Sequence, residues 1–243
     1  MAINKVEYGG KILIDLTQDT VTPETLAKGE IAHNAAGEQI TGTMESGGGG
    51  GDSDLPQGYR RADYIQFANA QIVDTGIICN RNTKIKVIFT RETTNSVYLY
   101  GVANTGNTAS VTAYVSNGGY WRFGNKYTTR QIAVSEEIPR THIVTATGVQ
   151  HETGTAALSG VTEFETIGTL LLGACRDADG TLPADSSAKY TGKVFLFEMW
   201  DGDTQVLKLI PVVDANGNYH LWDMVSQKAF DSITGVLLNG GNL

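Results

Sequence analysis

Lys193-Val194-Phe195-Leu196-Phe197-Glu198-Met199-Trp200 runs into Asp201-Gly202 and is answered by Val206-Leu207-Lys208-Leu209-Ile210. Branched, aromatic and aliphatic residues dominate both arms, and an Asp-Gly pair supplies the positive φ angles of a tight hairpin turn. Two long antiparallel strands follow from this stretch. Lys84-Ile85-Lys86-Val87-Ile88-Phe89, Val97-Tyr98-Leu99-Tyr100, Ser110-Val111-Thr112-Ala113-Tyr114-Val115 and His142-Ile143-Val144-Thr145-Ala146 extend the pattern upstream. Alternation with period two marks half-buried antiparallel strands, and turn residues interrupt them about every ten positions. Asn216-Gly217 after Val213 marks another late hairpin, and no convincing helix is found here. Six such strands in about 190 residues predict two packed sheets.

Upstream, five glycines from Gly47 to Gly51 lead into Asp52-Ser53-Asp54. A glycine-rich tract predicts a flexible coil that lets its two ends work semi-independently. The expected organisation is therefore an N-terminal docking and oligomerisation module over 1–46, a linker over 47–54 and an antiparallel β-sandwich over 55–243. Within the module, Gly9-Gly10 separates Val6-Glu7-Tyr8 from Lys11-Ile12-Leu13-Ile14-Asp15-Leu16 and predicts a hairpin. Thr22-Pro23-Glu24-Thr25-Leu26-Ala27-Lys28-Gly29 carries an N-cap residue, proline at the first helical position and a closing glycine, which predict one short helix. A second hairpin is expected around Ala36-Gly37, and His33 decorates it. The fold class is thus mainly β, with a small α+β module at the N-terminus. A chain of ~40–50 residues buries too little surface to fold alone without disulfides or metal. The module is therefore expected to trimerise or to dock on another protein, which makes a homo-oligomer.

The 243-residue chain carries 18 Lys and Arg against 26 Asp and Glu, a formal charge of −8. Scattered cations on an acidic chain argue against nucleic acid as a partner. Met1-Ala2-Ile3-Asn4-Lys5-Val6-Glu7 offers no apolar signal stretch, and no run approaches the ~18 apolar residues of a membrane span. Synthesis in a cytoplasm without membrane insertion or secretion is the expectation. Cys79 and Cys175 lie far apart without a C-x-x-C pattern, and are expected to be buried reduced thiols.

Leu55-Pro56-Gln57-Gly58-Tyr59-Arg60-Arg61-Ala62-Asp63-Tyr64-Ile65, then Ile72-Val73-Asp74-Thr75-Gly76-Ile77, resembles the opening of concanavalin A-like (laminin G-like) jelly-roll domains of phage and prophage proteins. The resemblance resumes at Gly192-Lys193-Val194-Phe195, Trp200-Asp201-Gly202, Leu209-Ile210-Pro211-Val212, Leu221-Trp222-Asp223-Met224-Val225-Ser226 and Thr234-Gly235. Ala62-Asp63 stands where Leu-Glu is usual, and Trp222-Asp223-Met224 where Tyr-Asp-Thr is common. Separately, Asn4-Lys5-Val6-Glu7-Tyr8-Gly9-Gly10-Lys11 and Gly37-Glu38-Gln39-Ile40-Thr41-Gly42-Thr43-Met44 look like a short module near the ends of phage tail and fibre proteins. These resemblances imply a non-enzymatic virion appendage, held to other virion proteins by residues 1–46 and displaying a jelly roll for bacterial surface or mucosal glycans. A structural capsid decoration, head fibre or tail subunit, and a prophage-encoded bacterial glycan-binding protein, stay open as alternatives.

Jelly rolls of this class commonly bind glycans, which requires an exposed aromatic face beside amide or charged groups. Asn117-Gly118-Gly119-Tyr120-Trp121-Arg122-Phe123-Gly124-Asn125-Lys126-Tyr127 is the densest such stretch. Tyr120, Trp121, Arg122, Asn125 and Tyr127 are the candidate glycan-binding residues. Alternation places Tyr120 and Arg122 on one face and Trp121 and Phe123 on the other, so core packing of Trp121 would leave Tyr120, Arg122 and Tyr127 as the ligand group. Asp177, Asp179 and Asp185 are candidate calcium ligands, and Asp214-Ala215-Asn216-Gly217-Asn218 is a similar oxygen-rich loop. Neither completes an EF-hand, and the same residues are what turns prefer. No other cofactor is expected. Glu163 and Glu165 have the strand spacing of a glycosidase pair, but Thr166-Ile167-Gly168 supplies no further acid. His33, His142, His151 and His220 are too dispersed to nominate a catalytic or metal cluster.

Overall fold

The computed structural model describes residues 4–241 apart from 24, 27, 28, 44–53, 69, 105, 107, 117, 118, 130–134, 152, 153 and 184–188. The chain divides into two compact units, Met1–Gly50 and Gly51–Leu243. The expected linker over 47–54 lies outside the described residues except for Asp54.

In the first unit, β1 (Lys5–Tyr8) pairs antiparallel with β2 (Lys11–Asp15), and Tyr8 faces Lys11 across Gly9-Gly10. Both glycines have positive φ, +59° and +76°. Left-handed backbone costs other residues roughly 1–2 kcal/mol each, which explains the paired glycines. β3 (Ile31–His33) pairs with β4 (Gln39–Thr41). Asn34 Oδ1 ties their connection by accepting the backbone N–H groups of Ala36 and Glu38, both at 3.0 Å.

The helix expected over 22–29 is corrected to a turn among the described residues. Thr25 and Leu26 both donate to the Thr22 carbonyl, so one helical-type turn closes. Gly29 N–H then donates to the Gly42 carbonyl at 3.1 Å, and the Pro23 carbonyl accepts from Thr43 N–H at 2.7 Å. Helix nucleation fixes several dihedrals for one bond, and a segment this short is held instead by these bonds to residues distant in the sequence.

The second unit is an antiparallel sandwich, as the period-two pattern requires. Its smaller sheet contains β7 (Val73–Asn80), β9 (Val97–Val102), β10 (Ser110–Val115), β11 (Tyr120–Gly124), β12 (Lys126–Thr129) and β16 (Glu165–Leu172). Their order is β12-β11-β10-β9-β16-β7 among the described residues. The larger sheet runs through β15 (Gly154–Ala157), β14 (Gly148–His151), β13 (Ser135–Thr145), β8 (Thr83–Arg91), β17 (Thr191–Asp201), β18 (Thr204–Asp214), β19 (Tyr219–Asp223) and β20 (Lys228–Phe230). β6 (Tyr64–Ala68) joins it along β17, β5 (Tyr59–Arg61) along β18 and β21 (Asn239–Gly241) along β6. Every strand read from the sequence is present, and no α-helix occurs among the described residues.

The core lies between the sheets. On β8, Ile85, Val87 and Phe89 are fully buried, whereas Lys84, Lys86 and Ile88 are only half-buried. Leu99, Val111, Ala113, Val115, Trp121 and Phe123 answer from the smaller sheet. Beyond β16 the chain turns back alongside β9: Gly173 N–H donates to the Leu99 carbonyl at 2.8 Å and Arg176 N–H to the Gly101 carbonyl at 3.1 Å. This path brings Cys175 against Gly101, where only a glycine fits. A Cβ on Gly101 would lie 2.7 Å from the Cys175 sulfur.

Candidate functional site

The outward face of the smaller sheet carries a tyrosine ladder. Strand register sets Tyr98 opposite Tyr114, and Tyr114 opposite Tyr120. Ring centroids are 4.8 Å apart for the first pair and 5.0 Å for the second, which stacks at 30°. All three rings are half-buried, while their strand neighbours Leu99, Ala113, Val115 and Trp121 face the core. The next row on this face is Thr112, Arg122 and Tyr127, again aligned by register. Arg122 places its guanidinium carbon 5.7 Å from the Tyr120 ring centroid, and Tyr127 is 66% exposed. Aromatic carbon, phenol hydroxyls and a guanidinium thus share one surface, a combination that can cover the apolar side of a sugar and bind its hydroxyls.

Only part of the candidate stretch lies on that face. Tyr120, Arg122 and Tyr127 do. Trp121 is corrected: it is fully buried, with its ring centroid 4.6 Å from His142 and 6.1 Å from Tyr100, so it offers no surface to a ligand. Asn125 sits in the β11–β12 turn, where its Oδ1 accepts the Thr162 N–H at 3.3 Å and braces a neighbouring loop. Asn117 and Gly118 lie outside the described residues. Sequence reading missed Tyr98, Tyr114 and Thr112. Alternation within Val97–Tyr100 and Ser110–Val115 carries the signal, but only register shows that these residues meet Tyr120 and Arg122.

Electrostatics on the face follow from burial. Burial, and secondarily Tyr120, pushes the Tyr98 phenol above its ordinary range. The Cys175 thiol is raised to about 12 by burial and by Asp177, with Arg122 opposing. Arg122 Nε and Thr112 Oγ1 are both sealed from solvent without a hydrogen-bond partner.

The acidic loops behave as turns. Asp179 Oδ1 accepts the backbone N–H of Thr181 at 3.0 Å and its hydroxyl at 2.6 Å, which holds the carboxyl below its usual range. Gly180 N–H donates to the Asp177 carbonyl at 2.9 Å, closing the same turn, and Asp185 lies outside the described residues. Asp214 closes the β18–β19 hairpin. Asn218, through its side chain and backbone, holds the Asp214 carboxyl at about 2, and His220 adds to this. Among the described residues no group of three His, Cys, Asp or Glu could hold a metal ion. Glu163 and Glu165 are exposed, Glu163 pairs with Arg81 at 2.8 Å, and Phe164 between them packs edge-on against Phe123. The fold does bring dispersed groups together elsewhere: His142 and His151 ring centroids lie 6.0 Å apart, and His220 Nδ1 lies 2.5 Å from Asp231.

No family model matches the chain. No curated protein matches it either. Solved structures do: 19 chains match. One is the mouse laminin alpha1 chain, domains LG4-5, with 12% identity and a TM-score of 0.40 over 75% of this chain and 48% of that one. The chain therefore spans about half the length of the mouse structure.

Proposed function

We propose that the chain is a phage or prophage virion appendage in which residues 1–46 dock and oligomerise the protein, as a trimer, and the sandwich displays a glycan-binding face toward bacterial or mucosal surfaces. The observation that carries this reading is the outward tyrosine ladder with Arg122 and Tyr127 beside it. A core needs no such row on its solvent side. The N-terminal unit supports the docking half: Ile12, Leu13 and Ile14 are consecutive on β2, and all are exposed, as are Tyr8 and Ile31. Successive strand residues point to opposite faces, so both faces of this hairpin present apolar surface. An isolated two-stranded hairpin is marginal in water, and covering it with copies of itself or with virion proteins removes that surface from solvent. Weak single sites then suffice, because several copies raise effective affinity without new contacts. The proposal requires no catalysis, nucleic acid or membrane insertion, and assigns no role to calcium.

The test uses particles purified from the lysed producing strain, probed with Fab fragments raised against the sandwich. Decoration of the particle in electron micrographs and blocked adsorption to host cells are the expected results. Decoration without any effect on adsorption favours a capsid or tail component that contacts only virion proteins. Absence from particles overturns the reading and favours a bacterial glycan-binding protein.

A further inference from the structure

We propose that copies of this chain join tip to cleft: the Tyr8-Gly9-Gly10-Lys11 tip of one copy's β1–β2 hairpin seats in the cleft between segments 19–23 and 34–36 of the next, with Lys11 paired to Asp19. This rests on the oligomerising role proposed above for residues 1–46 and names its contact.

The N-terminal unit carries both halves of the contact. Its cleft measures about 360 Å³ and is lined by Asp19, Val21, Pro23, Ala35 and Ala36 among others. That volume lies in the range of ligand pockets. Polar groups of the lining differ in commitment. Asn34 Oδ1 already accepts two backbone N–H groups, and Asn34 Nδ2 donates to Glu38 at 3.3 Å. The exposed Asp19 carboxylate has no partner among the described residues. On the hairpin tip, Tyr8 is 79% exposed, more than any other large apolar residue described. Lys5 pairs with Glu7 at 2.7 Å, but the exposed Lys11 makes no ion pair among the described residues. An unpaired cation thus stands beside the exposed ring, and an unpaired carboxylate lines the cleft.

A tip cannot fill the cleft of its own copy. Asn4 Nδ2 donates to the Ala35 carbonyl at 3.1 Å, and Leu16 N–H donates to the Asn4 carbonyl at 2.8 Å, so the base of the hairpin abuts the cleft wall. The four residues of β1 then carry Tyr8 about 13 Å from that base at the rise of an extended strand. A second copy supplies the complement. Tyrosine is a favoured anchor in interface pockets, and opposite charges fix the register of docking. Each copy offers one tip and one cleft, so every contact is used only when copies close on one another, as in the trimer above.

The experiment measures assembly of the full chain by analytical ultracentrifugation across a concentration series. Wild type should assemble reversibly. Tyr8→Ala should raise the midpoint concentration by roughly thirtyfold, the effect of losing one interface anchor. Lys11→Asp and Asp19→Lys should each raise it by roughly tenfold, and the double reversal, which restores the pair with its signs exchanged, should regain most of that loss. All these positions are exposed, so the far-UV circular dichroism spectrum should not change. Assembly that persists unchanged in Tyr8→Ala and both single reversals, or a double reversal that recovers nothing, overturns this contact and leaves oligomerisation through residues 1–46 standing. Wild type that stays monomeric throughout the series overturns both.

Discussion

Replacing Trp121 with alanine should destabilise the sandwich without acting through a ligand. The side chain is fully buried and contacts the rings of Tyr100 and His142. An indole removes about 200 Å² from water, which at about 25 cal/mol per Å² is worth about 5 kcal/mol. Against this, Trp121 Nε1 is buried without a partner. Truncation relieves that orphaned donor, worth about 1–3 kcal/mol, so the net loss should be about 2–4 kcal/mol. For a unit of this size the midpoint of thermal unfolding should fall by about 4–16 °C. Trp121→Phe keeps an aromatic ring in place and removes the orphaned N–H, so its cost should stay under about 1.5 kcal/mol. Urea unfolding followed by far-UV circular dichroism measures both variants without relying on the deleted fluorophore. A loss below about 1 kcal/mol for Trp121→Ala, or equal losses for the two variants, would refute the assignment of this ring to the core.

Three further outcomes follow from the same geometry. Gly101→Ala would drive a Cβ to 2.7 Å from the Cys175 sulfur and 3.1 Å from its Cα, and should cost about 1–3 kcal/mol as overpacking; an unchanged melting temperature contradicts that contact. Cys79 and Cys175, whose thiols burial raises to about 12, should resist a disulfide-exchange reagent at pH 8 and react fully in denaturant; fast native labelling of either would show that it is not sealed. Asp214 is depressed from 3.8 to about 2 in the folded chain, so its stabilisation is complete above about pH 4 and is lost as pH falls through about 2. The difference in urea midpoint between wild type and Asp214→Asn should be present at pH 6 and vanish near pH 2, and a pH-independent difference contradicts the linkage.

Strands and hairpins were legible because their determinants are local: side-chain alternation and Asp-Gly or Gly-Gly pairs at the turns. Lys193–Trp200 and Val206–Ile210 fall within β17 and β18, whose register closes as Asp201 against Thr204. The segment over 22–29 was misread because its capping residues are those of a helix, whereas Gly29 and Pro23 are tied to Gly42 and Thr43, far along the chain. Alternation separated Tyr120 and Arg122 from Trp121 and Phe123, but it could not say which face was the core until the opposing sheet supplied the His142 ring. The ladder was hidden for a related reason. Tyr98, Tyr114 and Tyr120 occupy three different strands, and their alignment depends on a bulge near Ala113 and Tyr114 that no local pattern announces. The same holds for His220, which meets Asp214 only once β18 and β19 have paired and Asp231 only once β19 and β20 have.

The most direct test of the central claim is binding of the multimerised full chain to intact host cells, with free sugars as competitors and Tyr120→Ala/Tyr127→Ala as the comparison. Saturable binding that a sugar displaces, and that the double variant loses while remaining folded by far-UV circular dichroism at the assay temperature, is the predicted result. Equal binding by wild type and the variant would contradict a ligand face on this sheet.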